Sequence, residues 1–189
     1  MIELSFCIPT CDLLGEMCQT LIRSVRETLI GVSHEIIVVE NRAPMQGVTD
    51  PMNASIRAAR GEYIVLSNDD VTLCPGWWGP LRRDLDAGAH AVLPFTVDRD
   101  RYGFWLFAMH RRLVDEMSNE PGEFWDRNCV LWYADSDFQA RLAQSGRTLA
   151  HVADSHILHR ETQSHDPADA QTMARIDLDC KHYYQKHMA

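Results

Sequence analysis

Apolar residues recur along this chain in two spacings, and the switch between them predicts a strand, a helix and a second strand at the outset. Residues 3–9 form a nearly continuous apolar run that stops at Pro9-Thr10, since proline cannot continue a central ladder. Leu14, Met17, Leu21, Val25 and Leu29 then return at near-helical intervals, with Asp12 as the expected cap and Gly31 as the stop. Residues 34–41 resume a β-branched run and end it in Glu40-Asn41. A unit of this length fits a parallel crossover.

After a loop, Asp50-Pro51 supplies a cap with proline at the first helical position, and residues 53–60 predict a short helix closed by Gly61. Tyr63-Ile64-Val65-Leu66-Ser67 predicts a buried strand that stops at Asn68-Asp69-Asp70. Pro75-Gly76-Trp77-Trp78 opens a helix through Asp86, its tryptophans assigned to packing. Residues 89–95 and 104–109 predict strands separated by the charged turn Asp98-Arg99-Asp100-Arg101. A brief helix (111–117), an irregular loop (118–128), a helix from Trp132 to Ser145 and two short strands (148–152 and 155–159) follow. A last helix starts at Asp166-Pro167 and carries Met173, Ile176, Cys180 and Tyr183 on one face. The expected fold is α/β, with a mixed, mostly parallel sheet flanked by helices.

Composition narrows the class. The 189 residues suffice for one domain with a full core, and 46% apolar with 24% charged residues is ordinary for a soluble globular protein. No apolar run is long enough to cross a bilayer, and Met1 leads into a strand without a basic leader, so the expected location is cytoplasmic. The six cysteines include no Cys-x-x-Cys pair and read as reduced, small hydrophobes. A net charge of −9 argues against broad binding to nucleic acid or anionic membrane, although a modified base stays open as an acceptor. An anionic phosphate ligand would need a cation to screen the chain's own carboxylates.

The chemistry gathers at strand ends. Pro9-Thr10-Cys11-Asp12, Glu40-Asn41 and Asn68-Asp69-Asp70 would meet at one edge of a parallel sheet, where open α/β folds bind ligands. Glu40 or Asp12 would take hydrogen bonds from a base or ribose, Asp69 the ribose hydroxyls, and Asp70 a Mg²⁺ or Mn²⁺ ion on a diphosphate. The alternative for Asn68-Asp69-Asp70 is a solvated Asx turn. Neither a Gly-x-Gly-x-x-Gly nor a Gly-Lys-Ser/Thr loop occurs, which removes the dinucleotide and P-loop readings.

In order along the chain, five segments resemble a family-two glycosyltransferase of the GT-A fold. They are Ser5 to Asp12, Glu35 to Asn41, Ala59-Arg60-Gly61-Glu62-Tyr63-Ile64 leading into Asn68-Asp69-Asp70, Met109-His110-Arg111-Arg112-Leu113, and Ala134 to Leu142. The resemblance runs from about residue 3 to about residue 165. It implies a single GT-A-like domain over residues 1–189, with a nucleotide-sugar half (1–95) and an acceptor and catalytic half (96–189). It places Pro9, Thr10, Asp12, Glu40, Asn41, Asn53, Asn68 and Asp69 around a nucleotide-diphosphate sugar, and Asp70 on the metal. In this family a histidine after the final strand can complete the metal site; His159 fits best, with His156 in reserve.

Asp135 is the implied catalytic base, and a carboxylate starting a helix beside Trp132 and Tyr133 has independent means to take a proton from a sugar hydroxyl. The alternative for Asp135 or Asp137 is a plain helix cap, and Arg141 one turn on can pair with Asp137. Trp105, Trp132 and Asp137 are the candidate acceptor contacts, with Tyr102, Phe104 and Trp125 nearby. Two departures stand out: Ala134 where the family often has Glu, and Met52-Asn53-Ala54-Ser55 where it often has Arg-Asn-x-Gly. The implied activity is metal-dependent, inverting glycosyl transfer. Its rivals are a catalytically silent nucleotide-sugar module, motivated by Ala134, and a nucleotidyltransferase.

Overall fold

Continuous apolar runs become strands covered on both faces, and their side chains sort alternately to the two sides. The structure is a computed structural model that describes residues 1–41, 47–118, 120, 122–160 and 169–188. Strands β1 (Leu4–Thr10), β2 (His34–Glu40) and β3 (Tyr63–Ser67) pair in parallel, with β1 in the middle. Leu4, Phe6 and Ile8 of β1 and Tyr63 and Val65 of β3 enter one core layer. Cys7, Ile64 and Leu66 enter the other. Helices α1 (Glu16–Thr28) and α3 (Trp78–Asp86) cover the first layer through Leu21, Val25, Leu81 and Leu85. Helices α2 (Thr49–Ala58), α4 (Arg111–Met117) and α5 (Ala134–Gln144) cover the second through Ile56, Leu113 and Phe138.

The remaining strands extend the sheet in both senses. A three-residue strand β4 (Val71–Leu73), β5 (Ala91–Thr96), a two-residue β6 (Arg101–Tyr102), β7 (Leu106–His110) and β8 (Leu149–His159) complete the order β2-β1-β3-β7-β5-β8-β4, with β6 on β5. The sheet is mixed, and its parallel part is the β2-β1-β3 half; β7 runs antiparallel to both β3 and β5, and β4 to β8. Only the β5–β8 pair is parallel in the second half.

Several local expectations are corrected. Asp12 does not cap α1: its carbonyl accepts from the Gly15 amide in a turn, and Gly15 is the cap residue. Asp50-Pro51 sits inside the first turn of α2, which starts at Thr49. The two short strands at 148–152 and 155–159 are one strand, β8, irregular where it passes from Val152 opposite Pro94 to His156 opposite Phe95. That irregularity lets Ser155 turn inward onto the Trp77 carbonyl while Asp154 reaches Arg83. The proposed helix start at Asp166-Pro167 lies outside the described residues; helix α6 (Ala170–His187) is capped by Asp169. Its Met173 is exposed, and its fully buried residue is Asp179.

Gly61 joins α2 to β3 under a steric demand. A Cβ there would lie 2.4 Å from the Ser5 nitrogen, and the Gly61 amide donates to Ser5 Oγ at 2.7 Å. Gly61→Ala is therefore expected to cost about 1–3 kcal/mol through forced displacement of β1. A lower urea midpoint at unchanged slope would register it.

Candidate active site

Parallel register brings the ends of β1, β2 and β3 to one edge. Thr10 stands opposite Glu40, and Cys7 opposite Leu66, so Thr10 reaches the residues just past β3. Thr10 Oγ donates to Asp69 Oδ2 at 2.5 Å and accepts from the Asp12 amide at 3.1 Å. The Leu13 amide donates to Glu40 Oε1 at 3.4 Å. Burial pushes the Asp69 carboxyl up; the Thr10 hydroxyl offsets part of that, and the neighbouring Asp70 and Asp12 charges add to it. Cys18 lies against the same group, its thiol raised by burial and further by Asp69, Asp12 and Glu40. Asp12, Glu40, Asp69 and Asp70 therefore form one acidic edge, whose mutual repulsion a bound cation would relieve and which a diphosphate could approach only with that cation present.

The antiparallel strands bring distant residues to this edge. Because β8 ends opposite the start of β4, with His159 paired to Val71, its last residue abuts Asp70. His159 Nε2 stands 3.2 Å from Asp70 Oδ1, and both side chains are nearly buried. Trp105, just before β7, stacks on the His159 ring with centroids 4.4 Å apart and planes 16° from parallel. Its carbonyl accepts from the Asn68 amide at 2.7 Å. The backbone of His159 is fixed as well: its amide donates to Asp98 at 3.0 Å, and Arg99 donates to its carbonyl at 3.3 Å. His159 Nδ1 is buried and makes no hydrogen bond among the described residues.

A carboxylate oxygen and an imidazole nitrogen 3.2 Å apart have nearly the spacing of neighbouring donors on an octahedral ion with bonds of about 2.1 Å. The pair therefore fits a divalent cation, with phosphate oxygens and water free to fill the remaining positions. Imidazole beside carboxylate suits Mn²⁺ better than Mg²⁺, which prefers oxygen donors. Among the described residues one other group, Asp126, Cys129 and His182, has donor atoms within 4.8 Å of one another. It suits a cation poorly: Lys186 Nζ already lies 2.7 Å from Asp126, and burial, then Asp137 and Asp126, push the Cys129 thiol up to about 12.

A cleft of about 510 Å³ opens beside the strand ends. Ser67, Asn68 and Trp105 line it together with Trp132, Tyr133 and Asp135. Asp135 lies in the first turn of α5, is exposed, and accepts from the Ser136 amide at 2.8 Å. Trp132 lines the cleft and is 55% exposed. Phe104 and Trp125 also line the cleft, whereas Tyr102 stacks on His151.

Two of the sequence assignments are corrected by burial. Asn53 is fully buried: its Nδ2 donates to the Trp125 carbonyl at 3.0 Å and its Oδ1 accepts from the Trp125 amide at 2.8 Å. Both of its polar atoms serve the backbone of a cleft-wall residue, so it is a brace and not a ligand contact. Asn53→Ala is expected to destabilise the fold by about 2–4 kcal/mol, because it strands two buried backbone groups, with donor affinity nearly unchanged. Parallel denaturation and calorimetry separate the two effects. Asp137 is also fully buried, ion-paired with Arg141 at 2.8 Å, Lys186 at 2.7 Å and His187 at 2.8 Å, and cannot meet an acceptor. Asn41 donates to the Gly47 carbonyl at 2.8 Å.

Sequence reasoning missed Asp98 and Arg99, which it read only as a charged turn. It also missed the inward stripe of α6, Arg175, Asp179, His182 and Lys186, whose three- and four-residue spacing was legible.

The order of strands and the position of this cleft define a GT-A-type nucleotide-sugar fold. The family model described as "Glycosyl transferase family 2" matches residues 21–154, and the chain belongs to that family. Among solved structures it is similar to the mannosyltransferase PcManGT from Pyrobaculum calidifontis, determined in complex with GDP-mannose and Mn²⁺. That likeness has a TM-score of 0.72 at 13% identity and covers 98% of this chain. The chain spans 64% of the length of that mannosyltransferase. No curated protein matches in sequence. Among the described residues no helix is long and apolar enough to cross a membrane.

Proposed function

We propose that this protein transfers a sugar from a nucleotide-diphosphate donor to an acceptor hydroxyl, with a divalent cation held by Asp70 and His159 and inversion at the anomeric carbon. The carrying observation is one cleft lined by Ser67-Asn68 at the end of β3, by Trp105 and by Asp135, with the Asp70–His159 pair adjoining it through the stack of His159 on Trp105. Family membership and the GDP-mannose and Mn²⁺ of the PcManGT complex support the donor class and the metal.

The roles follow from position. Thr10, Asp12 and Glu40, at the ends of β1 and β2, would receive the nucleoside, and Asp69, held by Thr10, its ribose. When bound, the cation supplies charge neutralisation for the departing diphosphate. Asp135, across the cleft, accepts the proton of the attacking hydroxyl while that oxygen displaces the diphosphate from the opposite face of the sugar. Trp132 offers its exposed ring to an acceptor beside that base.

A thermal-shift panel of UDP-, GDP- and dTDP-sugars with and without Mn²⁺ tests the reading. At a hundredfold excess over Kd a ligand adds about 2.7 kcal/mol, roughly 5–10 °C for a chain of this size. One donor is expected to give that shift only with Mn²⁺. A nucleotidyltransferase would instead respond to nucleoside triphosphates and release pyrophosphate, and a silent module would bind a donor that neither it nor its Asp135→Asn variant consumes.

A further inference from the structure

The stretch of cleft wall that carries Trp132 and leads into Asp135 has little regular structure of its own. Between the buried Phe124-Trp125 pair and α5, residues 126–133 run as turns and bends, and Tyr133 adopts a left-handed backbone (φ 65°) that costs a non-glycine residue about 1–2 kcal/mol. Such a conformation persists only where its surroundings impose it. Here those surroundings are α6.

Asp179, fully buried on an otherwise exposed or half-buried helix, accepts two consecutive backbone amides on one oxygen: Leu131 at 2.7 Å and Trp132 at 3.0 Å. Its other oxygen accepts from Arg175 Nε at 2.9 Å, and Arg175 donates onward to the Asn128 carbonyl at 3.2 Å. Tyr183, one turn along α6, stacks on the Tyr133 ring at 5.3 Å. The flanks are pinned by the same helix: His182 and Lys186 meet Asp126 at 2.9 and 2.7 Å, and Lys186 and His187 meet Asp137 at 2.7 and 2.8 Å. Apart from the Arg175–Asp179 pair within α6, these bonds cross about 47–60 positions of sequence, so they are not by-products of local folding. A solvated surface helix needs no buried acid, whereas a loop that must present one side chain to a reacting centre needs its amides fixed.

We propose that Asp179 is a positioning residue for glycosyl transfer: by holding the Leu131 and Trp132 amides it sets the Trp132 ring and the Asp135 carboxylate against the donor cleft. Asp179 touches no substrate, and the inference rests on the assignment of Asp135 as base only for its kinetic part.

The test uses the full chain with Asp179→Ala and, because a buried deletion can prevent folding, Asp179→Asn, which keeps one accepting oxygen. Amide exchange followed by NMR is expected to show Leu131 and Trp132 exchanging at least tenfold faster in Asp179→Ala, with β1 and β3 amides unchanged and partial rescue in Asp179→Asn. With whichever nucleotide sugar gives the Mn²⁺-dependent thermal shift, kcat is expected to fall at least tenfold and donor KM to stay within twofold. Wild-type exchange at Leu131 and Trp132, or acceleration spread equally over the sheet, overturns the proposal. So does an equal loss in kcat and in donor affinity. The exchange measurement needs no turnover, so a chain that consumed no nucleotide sugar would refute the functional reading and still leave the clamp decided.

Discussion

Asp135→Asn is expected to lower glycosyl transfer by about 10²–10⁴-fold, the usual contribution of a positioned general base. Asparagine keeps the size of the side chain and an oxygen to accept from the Ser136 amide, so the helix start is preserved. What is lost is the ability to take a proton. The proposed donor edge of Thr10, Glu40, Asp69 and Asp70 lies on other elements, and donor affinity should change by less than about twofold. The family's frequent Glu before this position is replaced by Ala134, which is 7% exposed and packs into the second core layer. Orientation of Asp135 therefore falls to the Ser136 amide and to the loop before α5. Single-turnover measurement of kcat checks the prediction; undiminished turnover in Asp135→Asn would assign the base elsewhere.

Asp137→Ala is expected to have the largest effect on stability, about 3–5 kcal/mol, or roughly 6–20 °C in melting temperature. The residue is fully buried among Arg141, Lys186 and His187, and its removal leaves the Arg141 guanidinium without its carboxylate and Lys186 with Asp126 alone. Burial alone would push its carboxyl up; the Lys186 ammonium, the Arg141 guanidinium and His187 outweigh that and hold it below the usual carboxylate range. Asp126 behaves alike, with Lys186, His182 and the Asn128 amide overcoming burial. Because both folded values lie below the unfolded one near ~4, the stability these acids supply is complete above that value and is lost as pH falls through the folded range. Urea denaturation from pH 7 to pH 3 should show this acid limb in the wild type and a shallower one in Asp137→Asn.

How much of this was legible in the sequence depended on the range of the interactions. The opening strand-helix-strand unit and the gathering of Thr10, Glu40 and Asp69 followed from apolar runs that end in polar residues. Their partners are neighbours in a parallel sheet, a relation that periodicity encodes. The pairing of His159 with Asp70 needed the family resemblance, because β8 reaches β4 only by antiparallel addition of a late strand. Asn53 and Asp137 were misassigned for a common reason. Polarity in a sequence marks hydrogen-bonding capacity without saying whether ligand or backbone uses it, and burial gave both to the fold. The α6 face was misread because its apolar residues set the reading, while the contacts it makes with the loop before α5 are charged and cross about 50 residues.

The central claim, that Asp70 and His159 share one cation at the mouth of the cleft that holds Asp135, is tested most directly by anomalous diffraction from crystals grown with Mn²⁺ and UDP or GDP. A manganese peak bonded to the Asp70 carboxylate and the His159 imidazole is the result predicted. A peak at Asp126, Cys129 and His182 with none beside Asp70, or no ordered manganese with either nucleotide, would contradict it.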